Sequence, residues 1–403
     1  MSVSETLKKH GQEHLLRYYD ELSSEEQREL LRQIGEIDWD ILKSLTEDGA
    51  PRGEVSPIEG LTLAQIAARK GQYEEVGKRT VKAGKVAAVL LAGGQGTRLG
   101  SSAPKGMYDI GVTRPLYIFE QLIENLKSTC AACDAEVPLL IMTNEKNDAE
   151  TRAFFREHAY FGYPERLIRF FVQAMAPSVG FDGKILMESK GRLALSPNGN
   201  GGWYSSLIRA GLLEDGFLKS VEWFNVFAVD NVLQRIADPV FLGATVSSGK
   251  NCGAKAVRKT CPEERVGAMC LQDGLPSVIE YYELSPEMAA LRGADGELAY
   301  GFGVTLNYLF RTDKLREIAA EKIPVHVVKK KIGCLNEAGV FVQPETENGY
   351  KFEELILDTV RLMGSCLPYE VVREKEFAPI KNRYGVDSVD TARKLLEENG
   401  VKL

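Results

Sequence analysis

The sequence predicts a doubly wound α/β protein with a mixed sheet, an N-terminal helical segment and a small C-terminal α+β lobe. Three observations predict it. Apolar runs of strand length recur through the middle of the chain, at 86–92, 138–143, 167–173 and 223–229. Stretches with apolar residues at helical spacing lie between them, as in 116–127 with Ile118, Leu122, Ile123 and Leu126 on one side. The runs end on Gly93, Asn144, Gln173 and Asp230, residue types suited to ligands at the C-terminal ends of parallel strands. The expected division is a helical region at 1–80, a central α/β domain at 81–324 and a lobe at 325–403.

The N-terminal region reads as helical. Leu15, Leu16, Tyr19 and Leu22 recur at helical spacing, Ser23 to Glu26 form a helix start, and Leu30, Leu31, Ile34 and Ile37 continue the pattern. A charged amphipathic segment follows at 61–79, with Gly71 as its weak point. No chemistry is visible here, and a helical layer packed on the main domain is the expectation. Further strands are expected at 252–258 and 277–282, a helix at 315–320, a strand at 324–332, and helices at 352–362 and 390–399.

The chain is organised around 86–111, VAAVLLAGGQGTRLGSSAPKGMYDIG. An apolar strand breaks into Gly93, Gly94 and Gly96, which let backbone N–H groups approach a ligand closely. Arg98 and Lys105 add two cations within one loop, a combination that suits a polyphosphate. No GK[ST] closes the turn, so it is not a Walker A loop. With Gly94 and Gly96 as its first glycines, a dinucleotide fingerprint would need Gly at Leu99. A glycine-rich turn that binds nothing stays open at this level.

Bulk properties narrow the classes. The chain has 403 residues, a hydrophobic fraction of 44% and a net charge of −7. That charge argues against a general nucleic-acid binder but allows a local cationic pocket for a nucleotide. No apolar run reaches the length of a membrane span and the first residues have no apolar leader, so a cytoplasmic protein is expected. Seven cysteines and four histidines are scattered. Cys130 and Cys133 form a lone C-x-x-C, and His10 and His14 lack a third ligand, so neither predicts a metal site.

A second informative stretch contains Pro197-Asn198-Gly199-Asn200-Gly201-Gly202, a loop that allows close backbone approach to a flat ligand. Asn200 can bond a hydroxyl or an amide. Asp230, ending a buried strand, can hold Mg²⁺ against phosphate oxygens or can instead cap a helix. Asp238 reads as a turn residue before Pro239.

LAGGQGTRLG followed by PKGMYDIG resembles the signature of UDP-sugar pyrophosphorylases, most closely the eukaryotic-type UDP-N-acetylglucosamine pyrophosphorylases. The N-terminal helical run, the PNGNGG loop, VDNVLQRIADP, VIEYYELS, NGYKFEELILD and FAPIKN extend the resemblance over nearly the whole chain. It implies a Rossmann-like nucleotidyltransferase domain and the reaction of UTP with a hexose 1-phosphate, most closely N-acetylglucosamine 1-phosphate, giving UDP-sugar and pyrophosphate. Leu91, Ala92, Gly93, Gly94, Lys105, Gln173, Gly199, Asp230 and Lys351 would bind UTP, with Gln173 and the Gly199 backbone reading uracil. Asn200, Glu280, Tyr281, Asn307 and Lys381 would face the sugar phosphate. Arg98, Lys105 and Lys381 would be catalytic, and Asp230 would hold Mg²⁺ or Mn²⁺. One departure stands out. Val304 occupies a position where the family carries a sugar-contacting Asn, which leaves glucose, galactose or broad specificity open. A non-catalytic UDP-sugar sensor is the reading from another class.

Overall fold

A computed structural model describes residues 2–45 and 53–403. The described chain forms two compact units, each drawn from separated segments. The smaller comprises the described residues of Met1–Pro51 with Gln173–Gly202 and Ile323–Ile356; the larger comprises those of Arg52–Val172 with Trp203–Lys322 and Leu357–Leu403. The expected regions divide the chain by sequence, whereas these units divide it by contact, so the middle of the chain contributes to both.

The larger unit is built on a ten-stranded mixed sheet. Val86–Leu91, buried along its whole length, lies between Trp223–Ala228 on one side and Leu139–Thr143 on the other, parallel to both. Ile168–Val172 extends the parallel part beyond Leu139–Thr143. The chain thus adds two strands on one side of Val86–Leu91 and then crosses to the other. Such a reversal is where open α/β sheets bind ligands, at the C-terminal strand ends, here those of Leu91 and Ala228. Beyond Trp223–Ala228 the sheet turns antiparallel through Phe302–Arg311, which also pairs with Cys252–Arg258. The helix Ile118–Cys133 buries Ile118, Leu122, Ile123 and Leu126, the expected apolar side.

The smaller unit has its own core, in which Leu7, Leu15, Leu30, Ile34 and Ile37 pack with Val179, Met187, Leu193 and Phe352. Ser23 caps Ser24–Gly35 in a reciprocal arrangement with Glu26, as the sequence predicts. A three-stranded antiparallel sheet joins Val325–Lys330, Gly349–Glu354 and Val179–Gly180.

Three expectations are corrected. The helix expected over 352–362 begins only at Ile356, because Gly349–Glu354 is a strand whose ladder with Val325–Lys330 outweighs local helix propensity. The strand expected at 277–282 is Leu275–Ile279, and Glu280 and Tyr281 fall beyond it, where Glu280 N–H bonds Glu283 Oε2 at 2.9 Å. Asp238 is more than a turn residue: it is buried and caps Pro239–Ser248 by accepting the Val240 N–H at 3.0 Å. Among the described residues no helix is long and apolar enough to cross a membrane.

Candidate active site

The glycine turn is built by backbone closure. Lys105 N–H donates to Gly94 O at 3.1 Å and Gly96 N–H to Ala103 O at 2.9 Å, folding 93–105 back on itself. Nothing lies within 4 Å of where a Gly94 Cβ would stand, so this stretch of backbone faces open space. Gly106 does the opposite job. A Cβ there would meet the Phe119 ring at 2.2 Å, so only glycine lets the segment after Lys105 lie flat on the helix Ile118–Cys133. Two buried asparagines brace the strand end: Asn147 Nδ2 donates to Ala92 O at 3.1 Å and Asn144 Nδ2 to Gly93 O at 2.5 Å. Asn144, expected at a ligand-facing end, is therefore a support for the turn, and Asn147 is a support the sequence reading did not single out.

Asp230 follows Trp223–Ala228 and is half-buried. Its carbonyl accepts from Ile380 N–H at 2.8 Å, Asn231 Nδ2 donates to Glu376 O at 2.8 Å, and Ala378 N–H donates to Asn231 Oδ1 at 2.9 Å. These bonds pin the 376–380 segment to the Asp230 turn, with Lys381 as its next residue. Lys381 Nζ is held by Asp387 Oδ2 at 2.9 Å. Lys105 lies within the field of all these groups. Burial pushes its ammonium below the ordinary lysine range, Asp230 opposes that shift, and Lys381 and Arg98 add to it. Arg98, Lys105, Lys381 and Asp230, far apart in sequence, therefore form one electrostatic site with an excess of positive charge. Such a site favours a polyanion.

The residues expected at the sugar divide. Glu280 is half-buried, and its Oε1 lies 3.3 Å from where a Gly267 Cβ would be, so it sits over a residue with no side chain. Tyr281 is 41% exposed and stacks edge-on against Tyr282, outside the packed interior. Asn307 has partners of its own. It is buried, accepts from Asn225 Nδ2 at 2.8 Å and donates to Gln234 Oε1 at 3.3 Å, so its side chain is committed inside the protein. Gln234 in turn bonds Ala228 O at 2.7 Å, and Ala237 N–H bonds Asn225 Oδ1 at 2.6 Å. This amide network holds the segment after Asp230. Its signal in the sequence was Asn225 in the middle of the apolar run WFNVFAV, where an unpaired amide would be costly.

The remaining candidates belong to the smaller unit. Gln173 Nε2 donates to Gly199 O and lies 3.4 Å from Asn198 Oδ1, so the two expected uracil readers are in contact. Gly199 has φ +93°, and a Cβ on it would come within 2.2 Å of Glu354 O. Both facts require glycine. Asn198 accepts at its carbonyl from Glu354 N–H at 2.6 Å. Asn200 Oδ1 accepts from Ile356 N–H at 2.9 Å, which fixes the side chain while its amide NH2 keeps two donors. Lys351 is half-buried on Gly349–Glu354, opposite Val328. Among the described residues no cluster of three His, Cys, Asp or Glu side chains could hold a metal, and all seven cysteines are free thiols.

A sheet whose strand order reverses beside a glycine turn, with buried Lys105 in the field of Asp230 and two further cations, fits an α/β nucleotidyltransferase. The comparisons specify it further. The chain matches the UTP–glucose-1-phosphate uridylyltransferase family over residues 21–389 and belongs to that family. It is 38% identical to the human UDP-N-acetylhexosamine pyrophosphorylase-like protein 1, over 98% of this chain and 83% of that protein. It is 36% identical to the UDP-N-acetylglucosamine pyrophosphorylase of Saccharomyces cerevisiae, over 95% of this chain and 86% of the relative. The UDP-N-acetylglucosamine pyrophosphorylase of Trypanosoma brucei, solved with an inhibitor, superposes with a TM-score of 0.82 at 26% identity, covering 98% of this chain and 84% of that one.

Proposed function

We propose that this protein transfers uridylyl from UTP to N-acetylglucosamine 1-phosphate, releasing pyrophosphate. A phosphate oxygen of the sugar phosphate attacks the α-phosphorus of UTP in line. The bond from that phosphorus to the bridging oxygen breaks, and pyrophosphate leaves with the electron pair. No covalent enzyme intermediate is needed, so the residues act by positioning and by offsetting charge. Arg98 and Lys105 hold the departing pyrophosphate, and Lys381 steadies the incoming sugar phosphate. Leu91, Ala92, Gly93 and Gly94 supply backbone to the nucleotide, Lys351 adds charge, and Gln173 with the Gly199 backbone reads uracil. Glu280 accepts from sugar hydroxyls.

Mg²⁺ or Mn²⁺ fits Asp230. A half-buried carboxylate suits an ion that takes most of its ligands from water and phosphate. When bound, the ion supplies positive charge against the phosphate oxygens. The observation that carries the reading is the convergence of Asp230, Lys381 and Arg98 on Lys105.

Val304 favours a second reading of the sugar. It is half-exposed and has no hydrogen-bonding side chain, so specificity extending to glucose or galactose 1-phosphate is the alternative. Pyrophosphate release measured over a panel of nucleoside triphosphates and sugar 1-phosphates separates the two. The proposal predicts highest kcat/KM with UTP and N-acetylglucosamine 1-phosphate. Preference for another hexose would replace the sugar assignment, and preference for another nucleotide would overturn the uracil site. Seven free thiols support a cytoplasmic location.

A further inference from the structure

We infer that Lys255 is a positioning residue for this transfer, an inference that rests on the reading above. Lys255 lies on Cys252–Arg258, and its side chain is 1% exposed. Its ammonium donates to Asp238 Oδ2 at 3.1 Å, to Arg235 O at 3.2 Å and to Glu376 Oε2. Three donors thus meet three acceptors, and the buried charge is fully bonded.

Those acceptors anchor two segments. Asp238 ends the stretch that begins at Asp230. Glu376 begins the stretch that ends at Lys381, and its carbonyl accepts from Asn231 Nδ2. The same two stretches meet again where Ile380 N–H bonds Asp230 O. One ammonium therefore fastens the bases of both segments, and their far ends carry the metal carboxylate and the lysine assigned to the sugar phosphate. Lys255 touches neither reactant. It acts through Asp230 and Lys381 by holding two carboxylates side by side.

Removing the ammonium has a defined consequence. The groups facing Glu376 are Lys255, Asp238, Arg235 and the Tyr369 phenol. Arg235 lies 3.6 Å from Asp238 Oδ1 and still offsets that charge, so Glu376 is the carboxylate left stranded. It can relieve repulsion by moving away, taking its segment with it, or by taking up a proton. Burial already pushes its carboxyl above the ordinary range, which eases protonation. Removing one partner of a buried ion pair is strongly destabilising whereas removing both charges often is not, so the variant that also neutralises Glu376 separates loss of position from loss of fold.

The test measures kcat and KM for the wild type, Lys255→Met, Glu376→Gln and the double variant, from about pH 5.5 to about pH 8.5. Lys255→Met lowers kcat about tenfold at neutral pH, with the KM for UTP within about threefold. Its deficit narrows toward acid pH, and the double variant, whose introduced amide can donate to Asp238 where the alanine of Glu376→Ala cannot, regains most of the lost kcat with no such pH dependence. A folded Lys255→Met protein with wild-type kcat, or a double variant no better than Lys255→Met, overturns the inference. Should Lys255→Met not fold, Glu376→Ala decides, because it leaves Lys255 paired with Asp238. An approximately tenfold fall in kcat supports the inference and wild-type kcat overturns it. An inactive wild type would count against the proposed function; an active wild type with indifferent variants counts against this inference alone.

Discussion

Lys105 concentrates the chemistry of the site in one side chain. Burial, Lys381 and Arg98 disfavour its charge, and Asp230 favours it. A triphosphate reverses that balance, so the cation is poised to gain most when substrate arrives. Lys105→Ala or Asp230→Ala should lower turnover by about 100-fold or more, the scale of a lost electrostatic group at a reacting phosphate. Steady-state assays with full UTP titrations check this, and near-normal kcat in either variant would remove that residue from the mechanism. The depressed Lys105 value also predicts a pH effect. The ammonium is present at low pH and is lost as pH rises through its lowered value, so kcat/KM for UTP should fall on the alkaline side before an ordinary lysine would titrate. Lys105→Arg, which stays charged, should move that limb upward even if its activity is lower. An unchanged alkaline limb in Lys105→Arg would assign it to another group.

Elements explain how these side chains are held. The glycine turn depends on Gly106 lying against Phe119, and Gly106→Ala should cost about 1–3 kcal/mol through overpacking. Urea unfolding measures that cost, and a variant as stable as wild type would mean the helix Ile118–Cys133 can yield. Asn307→Ala should behave as a support rather than as a sugar ligand. It removes one of the two acceptors of buried Asn225 Nδ2 and the donor to Gln234 Oε1, and should destabilise by about 1–3 kcal/mol. An increase confined to the KM for the sugar phosphate, with stability intact, would restore its assignment to the sugar.

The parallel strands and their turn were legible in the sequence because apolar runs, glycines and cations lie close together along the chain. The stretch just after Lys351 reads as a helix because FEELILD has helical character locally, while the strand Gly349–Glu354 that carries Lys351 depends on pairing with Val325–Lys330. Lys255 was not legible at all. A lysine within a strand reads as solvated, and its carboxylate partners lie 17 and 121 residues away. Asn307 was read as a ligand for a related reason: sequence gives a residue's chemistry but not the face of the strand it occupies.

At the scale of the molecule, a net charge of −7 coexists with a local group of three cations, Arg98, Lys105 and Lys381, so the proposed anion site depends on local rather than net charge. The candidate residues are distributed over both compact units, with Arg98, Lys105, Asp230 and Lys381 in the larger and Gln173, Gly199 and Lys351 in the smaller. Family membership assigns the reaction class, and the cationic cluster supplies the physical reason for it. A UDP-sugar sensor could keep the uracil contacts alone, whereas catalysis requires the cations as well. The most direct measurement is isotope exchange between labelled pyrophosphate and UTP, with N-acetylglucosamine 1-phosphate, Mg²⁺ and the purified protein present. The account predicts exchange that depends on the sugar phosphate and is lost in Lys105→Ala. UDP-N-acetylglucosamine binding by a protein that supports no exchange would contradict it.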